Sequence, residues 1–379
     1  MLTAESRQRD FPTLDGIAYL NTAAESIPPL CVFDAVSDYC NDKAMGMRGR
    51  DPHFARVEQC REVAARMIGL QPKEVSFCSC SSEAYNLLAS ALNLKADDEV
   101  VLTDIDFPAG ATPWLTATEK PRVSLWKIRD GVLEILDLLP LLTSRTRLVQ
   151  FSLISFYNGY RIPWHHVVDK IRRMAPQAII AVDVTQALGR VVLDCNDADV
   201  IISSTHKWTL GLHGGCIVGI PERNAQRLTT HAGGWFHLEN AFGDDRFDRV
   251  VKKTGAASFS VGMPSFAPIY ALNAALRYLE QIGVEAISQH ADPLVAKADA
   301  GLRALGLTPM VKIDQVKNPT GIIAFKHPEV ARFHAALEAA EVHVMHHAGR
   351  LRVAIHGYNT EEDVDRLLAV LRECVESLK

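Results

Sequence analysis

Short apolar runs recur along this 379-residue chain as far as residue 220, and most are followed by a segment whose apolar positions repeat at helical spacing. Glu74-Val75-Ser76-Phe77-Cys78 reads as a strand, and Ala84, Leu87, Leu88 and Ala91 mark one face of a helix over 83–93. Val100-Val101-Leu102 and Arg122–Trp126 read as strands on either side of a helix over 108–118. Leu148–Leu153 and Ala178–Val182 follow, separated by a helix over Trp164–Met174, and then come Val200–Ser203 and Cys216–Ile220. Strands that alternate with helices are joined by crossovers, which selects an α/β fold with a mostly parallel, doubly wound sheet.

After Gly262-Met263-Pro264 the pattern changes to longer helices over 267–282 and 293–305. A strand over 321–325, a helix over 331–340, a strand over 351–355 and a closing amphipathic helix over 360–378 complete the chain. Thr360 is the expected N-cap of that last helix, with Asp363 three residues on as a variant capping box. The expected architecture is a large sheet domain followed by a smaller α+β domain of roughly a hundred residues.

A hydrophobic content of 48% permits a large core, and a net charge of −5 offers no basic field for nucleic acid. No uncharged stretch approaches the ~18 residues needed to span a bilayer, and Met1-Leu2-Thr3-Ala4-Glu5-Ser6-Arg7 lacks the basic-then-apolar order of a signal peptide. A cytoplasmic protein with neither membrane nor nucleic-acid partner is expected. The eight cysteines form no paired CxxC spacings, and His343, His346 and His347 have no carboxylate at a convincing ligand spacing, so reduced thiols and no metal site are expected.

Lys207 follows the run Asp199-Val200-Ile201-Ile202-Ser203-Ser204-Thr205-His206. The carboxyl ends of parallel strands are where α/β sheets place chemistry. A lysine there, beside hydroxyls suited to an anion, reads as a Schiff-base lysine next to a phosphate, which points to pyridoxal phosphate (PLP). Ser79-Cys80-Ser81-Ser82-Glu83-Ala84 joins a strand to a helix and can present first-turn amides and the Ser81 and Ser82 hydroxyls to that phosphate, or serve as an ordinary cap. Ile179-Ile180-Ala181-Val182-Asp183 ends a buried strand in a carboxylate that needs a partner; a pyridinium nitrogen would supply one, and an N-cap or a metal ligand are the alternatives. Arg352, in Arg350-Leu351-Arg352-Val353-Ala354-Ile355, suits either a substrate carboxylate or a structural salt bridge.

Five motifs, in order, resemble the class V aminotransferase family of fold-type I PLP enzymes, in the group of selenocysteine lyase, cysteine desulfurases and isopenicillin N epimerase. They are Tyr19-Leu20-Asn21-Thr22-Ala23-Ala24, Ser81-Ser82-Glu83-Ala84-Tyr85-Asn86-Leu87, Val182-Asp183-Val184-Thr185-Gln186-Ala187-Leu188-Gly189, Ser204-Thr205-His206-Lys207-Trp208, and the stretch from Gly349 to Leu367. The resemblance implies that Lys207 forms the Schiff base and moves the Cα proton, that Asp183 pairs with the pyridine nitrogen, and that Gln186 hydrogen-bonds the phenolic oxygen. It also implies that Ser81, Ser82, Ser204 and His206 hold the phosphate, that Phe107 stacks on the ring where many members have histidine, and that Arg352 and Asn21 bind the substrate. A homodimer with sites at the interface is implied, with Phe259 to Ser265 reaching the neighbouring site. The corresponding division is an N-terminal segment over 1–20 packing on the small domain, a PLP-binding domain over 21–265 and a small domain over 266–379.

Departures from the family narrow the chemistry. Cys80 stands where glycine is usual, and Met263 where a threonine normally contacts the partner's phosphate. Desulfurases carry a nucleophilic cysteine on a loop shortly before the strand of Arg352, and Glu341 to Leu351 contains none. The leading expectation is a C–S or Cβ side-chain lyase that uses Lys207 as its only base. Transamination also needs only Lys207. Epimerisation needs an acid on the ring face where Phe107 stands, with Tyr157 and Tyr160 as candidates. A catalytically silent PLP-fold binding protein is the remaining alternative, and it would have no chemical reason to keep Lys207, Asp183, Gln186, His206 and Arg352 together.

Overall fold

The computed structural model describes residues 1–311 and 319–378, and within them twelve strands. These are β1 (Ala18–Tyr19), β2 (Val75–Cys78), β3 (Glu99–Thr103), β4 (Arg122–Trp126), β5 (Thr146–Ser152), β6 (Ile179–Asp183), β7 (Val200–Ser204), β8 (Cys216–Gly219), β9 (Ile322–Lys326), β10 (Val342–His343), β11 (Met345–His347) and β12 (Arg350–Ala354). Seven of them form one sheet in the order β2-β8-β7-β6-β5-β3-β4. Pairing is parallel from β7 to β4, and only β8 runs against its neighbours β7 and β2. The reversal of β8 leaves β2 and β7 pointing the same way, so the turns after both emerge at one end of the sheet.

Alternation along the central strands explains why their sequences are continuously apolar. Ile201, Ile180, Val182 and Val149 face one buried cluster with Trp208 and Ile171, whereas Val200, Ile202, Ile179 and Leu148 face another with Leu88 and Trp114. A strand buried on both faces has no position for a solvated side chain. Cys78 and Cys216 belong to the second cluster, where burial pushes both thiols well above their ordinary range.

The smaller sheet has the order β11-β12-β9 and is antiparallel. Helices Val284–Ala304, Val330–Ala339 and Glu361–Glu376 contribute Leu294, Phe333 and Leu367 to its core. β1 pairs in parallel with β10, Asn21 bridges Ala354, and Ala18 and Leu20 enter the same core. The Thr360 cap and its reciprocal partner are present: Asp363 N donates to Thr360 Oγ1 at 3.3 Å and Thr360 N to Asp363 Oδ2 at 3.1 Å. Buried Arg190 links the two parts, donating to Asp292 at 2.7 Å and to the Ile355 carbonyl at 3.0 Å.

The expected start of a helix at Pro293 is corrected: that helix begins at Val284 and the proline lies inside it. Ile287 and Ala291 are fully buried in the extra turns, and burial there offsets the roughly 3 kcal/mol that an interior proline costs. Helices over Leu30–Ala44 and Arg50–Ile68 were not foreseen. Among the described residues no helix is long and apolar enough to cross a membrane.

Candidate active site

Lys207 leaves β7 on a tightly fixed turn. Thr205 Oγ1 donates to the carbonyls of Leu212 and Gly215 at 2.8 and 2.9 Å, Thr209 Oγ1 donates to Thr205 O, and Leu210 N donates to Lys207 O. Leu210 is fully buried in the left-handed region at φ 58°, a conformation costing ~1–2 kcal/mol that surrounding packing must impose. The amine of Lys207 lies 5.2 Å from the centre of the Phe107 ring, and no hydrogen bond or ion pair holds it among the described residues. Burial lowers its pKa; Asp183 opposes the shift and Arg352 adds to it. An amine destabilised as a cation is better populated as the nucleophile.

Lys207 and Asp183 line one cleft of about 480 Å³ together with Ser81, Phe107, Gln186, Ser204 and His206. Ser152, Phe156 and Thr185 complete its wall. Asp183, at the end of β6, accepts from Thr185 N at 2.8 Å on one oxygen and from the Tyr85 hydroxyl at 2.8 Å on the other. Burial first, then Asp183, pushes the Tyr85 phenol well above its ordinary value, so it remains a donor. Gly110 allows this contact: a Cβ there would come within 3.3 Å of the Tyr85 ring and 2.5 Å of Gln150 Nε2. Asp106, one residue before Phe107, accepts from Ser152 N at 2.8 Å and is raised to about 6 by burial.

The turn after β2 leads into helix Ser81–Leu92, whose N-cap Cys80 makes no side-chain capping bond. Glu83 instead reaches back to Ser79 N and Oγ, both at 2.6 Å. Ser81 lines the cleft; Ser82 is exposed and does not. His206 stacks on His213 with ring centres 4.1 Å apart, and burial followed by Lys207 lowers it to about 4, leaving a neutral imidazole. Gln186 donates to Ala23 O at 3.0 Å and accepts from Trp208 Nε1 at 2.6 Å, which fixes its amide and leaves one N–H for a ligand.

Arg352 is 1% exposed, yet among the described residues only its Nη1 is paired, with Phe156 O at 2.8 Å. Among the described residues its Nε and Nη2 are buried without partners, as is Asn21 Oδ1, on the strand extension beside Ala354. Burial and then Arg350 lower the Arg352 pKa to about 9. The two candidate tyrosines are committed elsewhere: Tyr160 donates to Leu133 O and is raised to about 12 by burial, and Tyr157 lies under Arg350. In the Glu341–Leu351 stretch, where the family resemblance leads one to look for a cysteine loop, β11 and β12 are joined directly by Ala348-Gly349, both at positive φ. Phe259 to Ser265 line a separate cleft with Ser79 and Glu83.

Residues 18–367 match the family described as aminotransferase class-V. The chain belongs to that family. It is 26% identical over 362 residues to the uncharacterized aminotransferase YcbU of Bacillus subtilis, with 95% of each chain covered. It is also 26% identical over 410 residues to a cysteine desulfurase of Synechococcus elongatus, covering 96% of this chain and 62% of that protein. The apo cysteine desulfurase of Thermococcus onnurineus has a TM-score of 0.88 at 23% identity, covering 100% and 99% of the two chains. A C-DES variant with glycine covalently linked to its PLP cofactor has a TM-score of 0.86 at 19% identity, covering 97% and 99%.

This class-V aminotransferase-family member is a PLP-dependent enzyme of the fold-type I architecture. Its cleft suits the cofactor: an amine unpaired among the described residues, a carboxylate that accepts from two donors, a neutral imidazole and a helix N-terminus converge on it. Tyr85 was named in the sequence only as part of a motif, and its hydroxyl is hydrogen-bonded to Asp183. Its i, i+4 distance from Ser81, on a helix whose other face is apolar, was the available signal.

Proposed function

We propose that this enzyme acts on an amino acid as a side-chain lyase that breaks a C–S bond or another bond at Cβ without a persulfide-forming cysteine. The observation that carries this reading is the β11–β12 hairpin: two residues join the strands, and no cysteine lies between Glu341 and Leu351. Bound PLP would supply an electron sink for the pair left when a bond at Cα breaks, which lets a leaving group on Cβ depart with its own bonding pair. Asp183, hydrogen-bonded by Tyr85 and Thr185, would pair with the pyridine nitrogen; Ser81, Ser204 and His206 would hold the phosphate, and Gln186 the phenolic oxygen. Phe107, at the mouth, would cover the ring and exclude water. Arg352 and Asn21 would bind the α-carboxylate and orient the substrate, and Lys207 Nζ would anchor the cofactor and carry the proton to and from Cα. Ser82, exposed, would contribute its backbone amide alone. We further propose a homodimer.

Aminotransfer is the second reading, favoured by the same dependence on Lys207 alone and by the aminotransferase relative. Purified enzyme incubated with single amino acids separates the two. Keto acid and ammonia formed without a co-substrate support the lyase, and strict dependence on an added keto acid refutes it. Loss of the visible cofactor band in Lys207→Ala tests the anchor.

A further inference from the structure

Trp208 follows Lys207 directly and is fully buried, as is His356, which stands beyond Arg352 on the segment that continues β12. His356 Nε2 lies 2.9 Å from Trp208 O, and among the described residues no other hydrogen bond reaches that carbonyl. A ring nitrogen facing a carbonyl must carry the proton, and Gly357 N donates to Nδ1 at 2.6 Å, so the imidazole is the Nε2–H tautomer with both nitrogens used. Burial lowers the His356 pKa to about 3; the Trp208 carbonyl opposes the shift and Arg190 adds to it. The ring therefore stays neutral, and its single donor stays aimed at Trp208.

Trp208 is confined on the other sides as well. A Cβ on Gly189 would come within 2.4 Å of Trp208 O, and one on Gly321 within 2.3 Å of Trp208 Cη2, so backbone closes on the residue from two directions. The indole lies against the His356 ring with centres 5.5 Å apart, and its Nε1 is the donor at 2.6 Å that fixes the Gln186 amide. His356 is held in turn by Asn359, whose Oδ1 accepts from His356 N at 2.8 Å and whose Nδ2 donates to Tyr19 O at 2.8 Å. One line of contacts thus runs from the small domain through His356 and Trp208 to Gln186 and to the backbone beside Lys207. Lys207 follows β7 and Gln186 follows β6, so their relative placement needs a tie that neither strand supplies. Trp208 reaches both, one through its indole and the other through the peptide bond.

We propose that His356 is a positioning residue for the cofactor: acting through Trp208, it sets the spacing between the Lys207 amine and the Gln186 amide, and so aligns the ring anchored on Lys207 with the group that hydrogen-bonds its phenolic oxygen. This rests on the assignment of Lys207 and Gln186 to PLP made above. A rigid, uncharged donor fixes a position without changing the charge of the cleft.

The test reads the pH midpoint of the visible absorbance band of PLP-loaded enzyme, which depends on the hydrogen bonds that the phenolic oxygen receives. Loss of a donor to that oxygen favours its protonated form, so Gln186→Leu is expected to raise the midpoint by about one unit. His356→Leu and Trp208→Phe should each raise it by about half a unit or more. His356→Gln, which keeps an N–H at the reach of Nε2, should leave it within about 0.3 unit. The double variant His356→Leu/Trp208→Phe should go no further than the larger single change, because both act through one line of contacts. A lowered Tm with an unmoved midpoint marks packing alone and overturns the proposal, and additive shifts overturn it too. Should His356→Leu not fold, an unmoved midpoint in Trp208→Phe, or a full shift in His356→Gln, overturns it without that variant. An unmoved midpoint in Gln186→Leu removes the Gln186 assignment and this proposal together, and a band that survives Lys207→Ala removes the PLP anchor; failure of His356 alone produces neither.

Discussion

Replacing Arg352 by methionine is expected to raise stability while destroying function. Two of its buried donor groups lack partners, at ~1–3 kcal/mol each, and its single bond to Phe156 O contributes ~1.5–3 kcal/mol and would leave that carbonyl unpaired. Removing the charge also relieves repulsion with Arg350. The net effect on the cofactor-free protein is between zero and a gain of ~2 kcal/mol, or, for 379 residues, a rise in Tm of up to ~3 °C. Losing a desolvated guanidinium–carboxylate contact should instead lower kcat/KM by about 10²–10³, corresponding to ~3–4 kcal/mol. Arg352 has a lower pKa folded than unfolded, so the folded state binds fewer protons between about 9 and the ordinary value of 12.5. Stability therefore gains from this group as pH rises through that window, and the gain should vanish in the variant. Differential scanning calorimetry of both apo proteins over pH, beside amino-acid-dependent kinetics, reads all three effects. A Tm lowered by more than ~5 °C would show that the guanidinium is a structural clamp and would refute the receptor argument.

Tyr85→Phe removes a donor to the Asp183 carboxylate worth ~1.5–3 kcal/mol and should weaken PLP binding about tenfold or more, measured by fluorescence titration; unchanged affinity would reduce Tyr85 to packing. Removing the Arg352 cation should raise the pKa of Lys207, so the pH at which PLP uptake by the apoenzyme reaches half its maximal rate should move upward in Arg352→Met, followed by stopped-flow absorbance. Ala348 is exposed at φ 51°, and Ala348→Gly should stabilise the hairpin by ~1 kcal/mol, seen as a higher Tm; a lower one would contradict the strain assigned there.

Periodicity made the large sheet readable because its central strands are buried on both faces; the half-exposed edge strand Arg122–Trp126 and the helix Trp164–Met174 also stand where the pattern puts them. Helix Arg50–Ile68 was missed because charged residues interrupt its buried stripe of Val57, Cys60, Ala64 and Ile68. The reversal of β8 is invisible in Cys216–Gly219, since a doubly buried strand has the same composition in either direction. The residues gathered at the strand ends, Lys207, Asp183, Gln186, His206 and Ser81, were legible because they follow apolar runs. The Tyr85 hydrogen bond and the unmatched fork of Arg352 depend on side-chain direction across distant segments, which spacing along the chain does not encode.

β8 is the last strand to join the large sheet, yet it stands between β2 and the other five. A ribosome must therefore deliver residues 216–219 before the helix that begins at Ser81 has any sheet bond tying it to the strand of Lys207. Until then half of the cofactor cradle is attached to an unpaired edge. PLP can stabilise only chains that have passed this point, by an amount that grows with the logarithm of its concentration over Kd. Cellular supply of the cofactor should thus govern how many copies survive synthesis as well as how many are active.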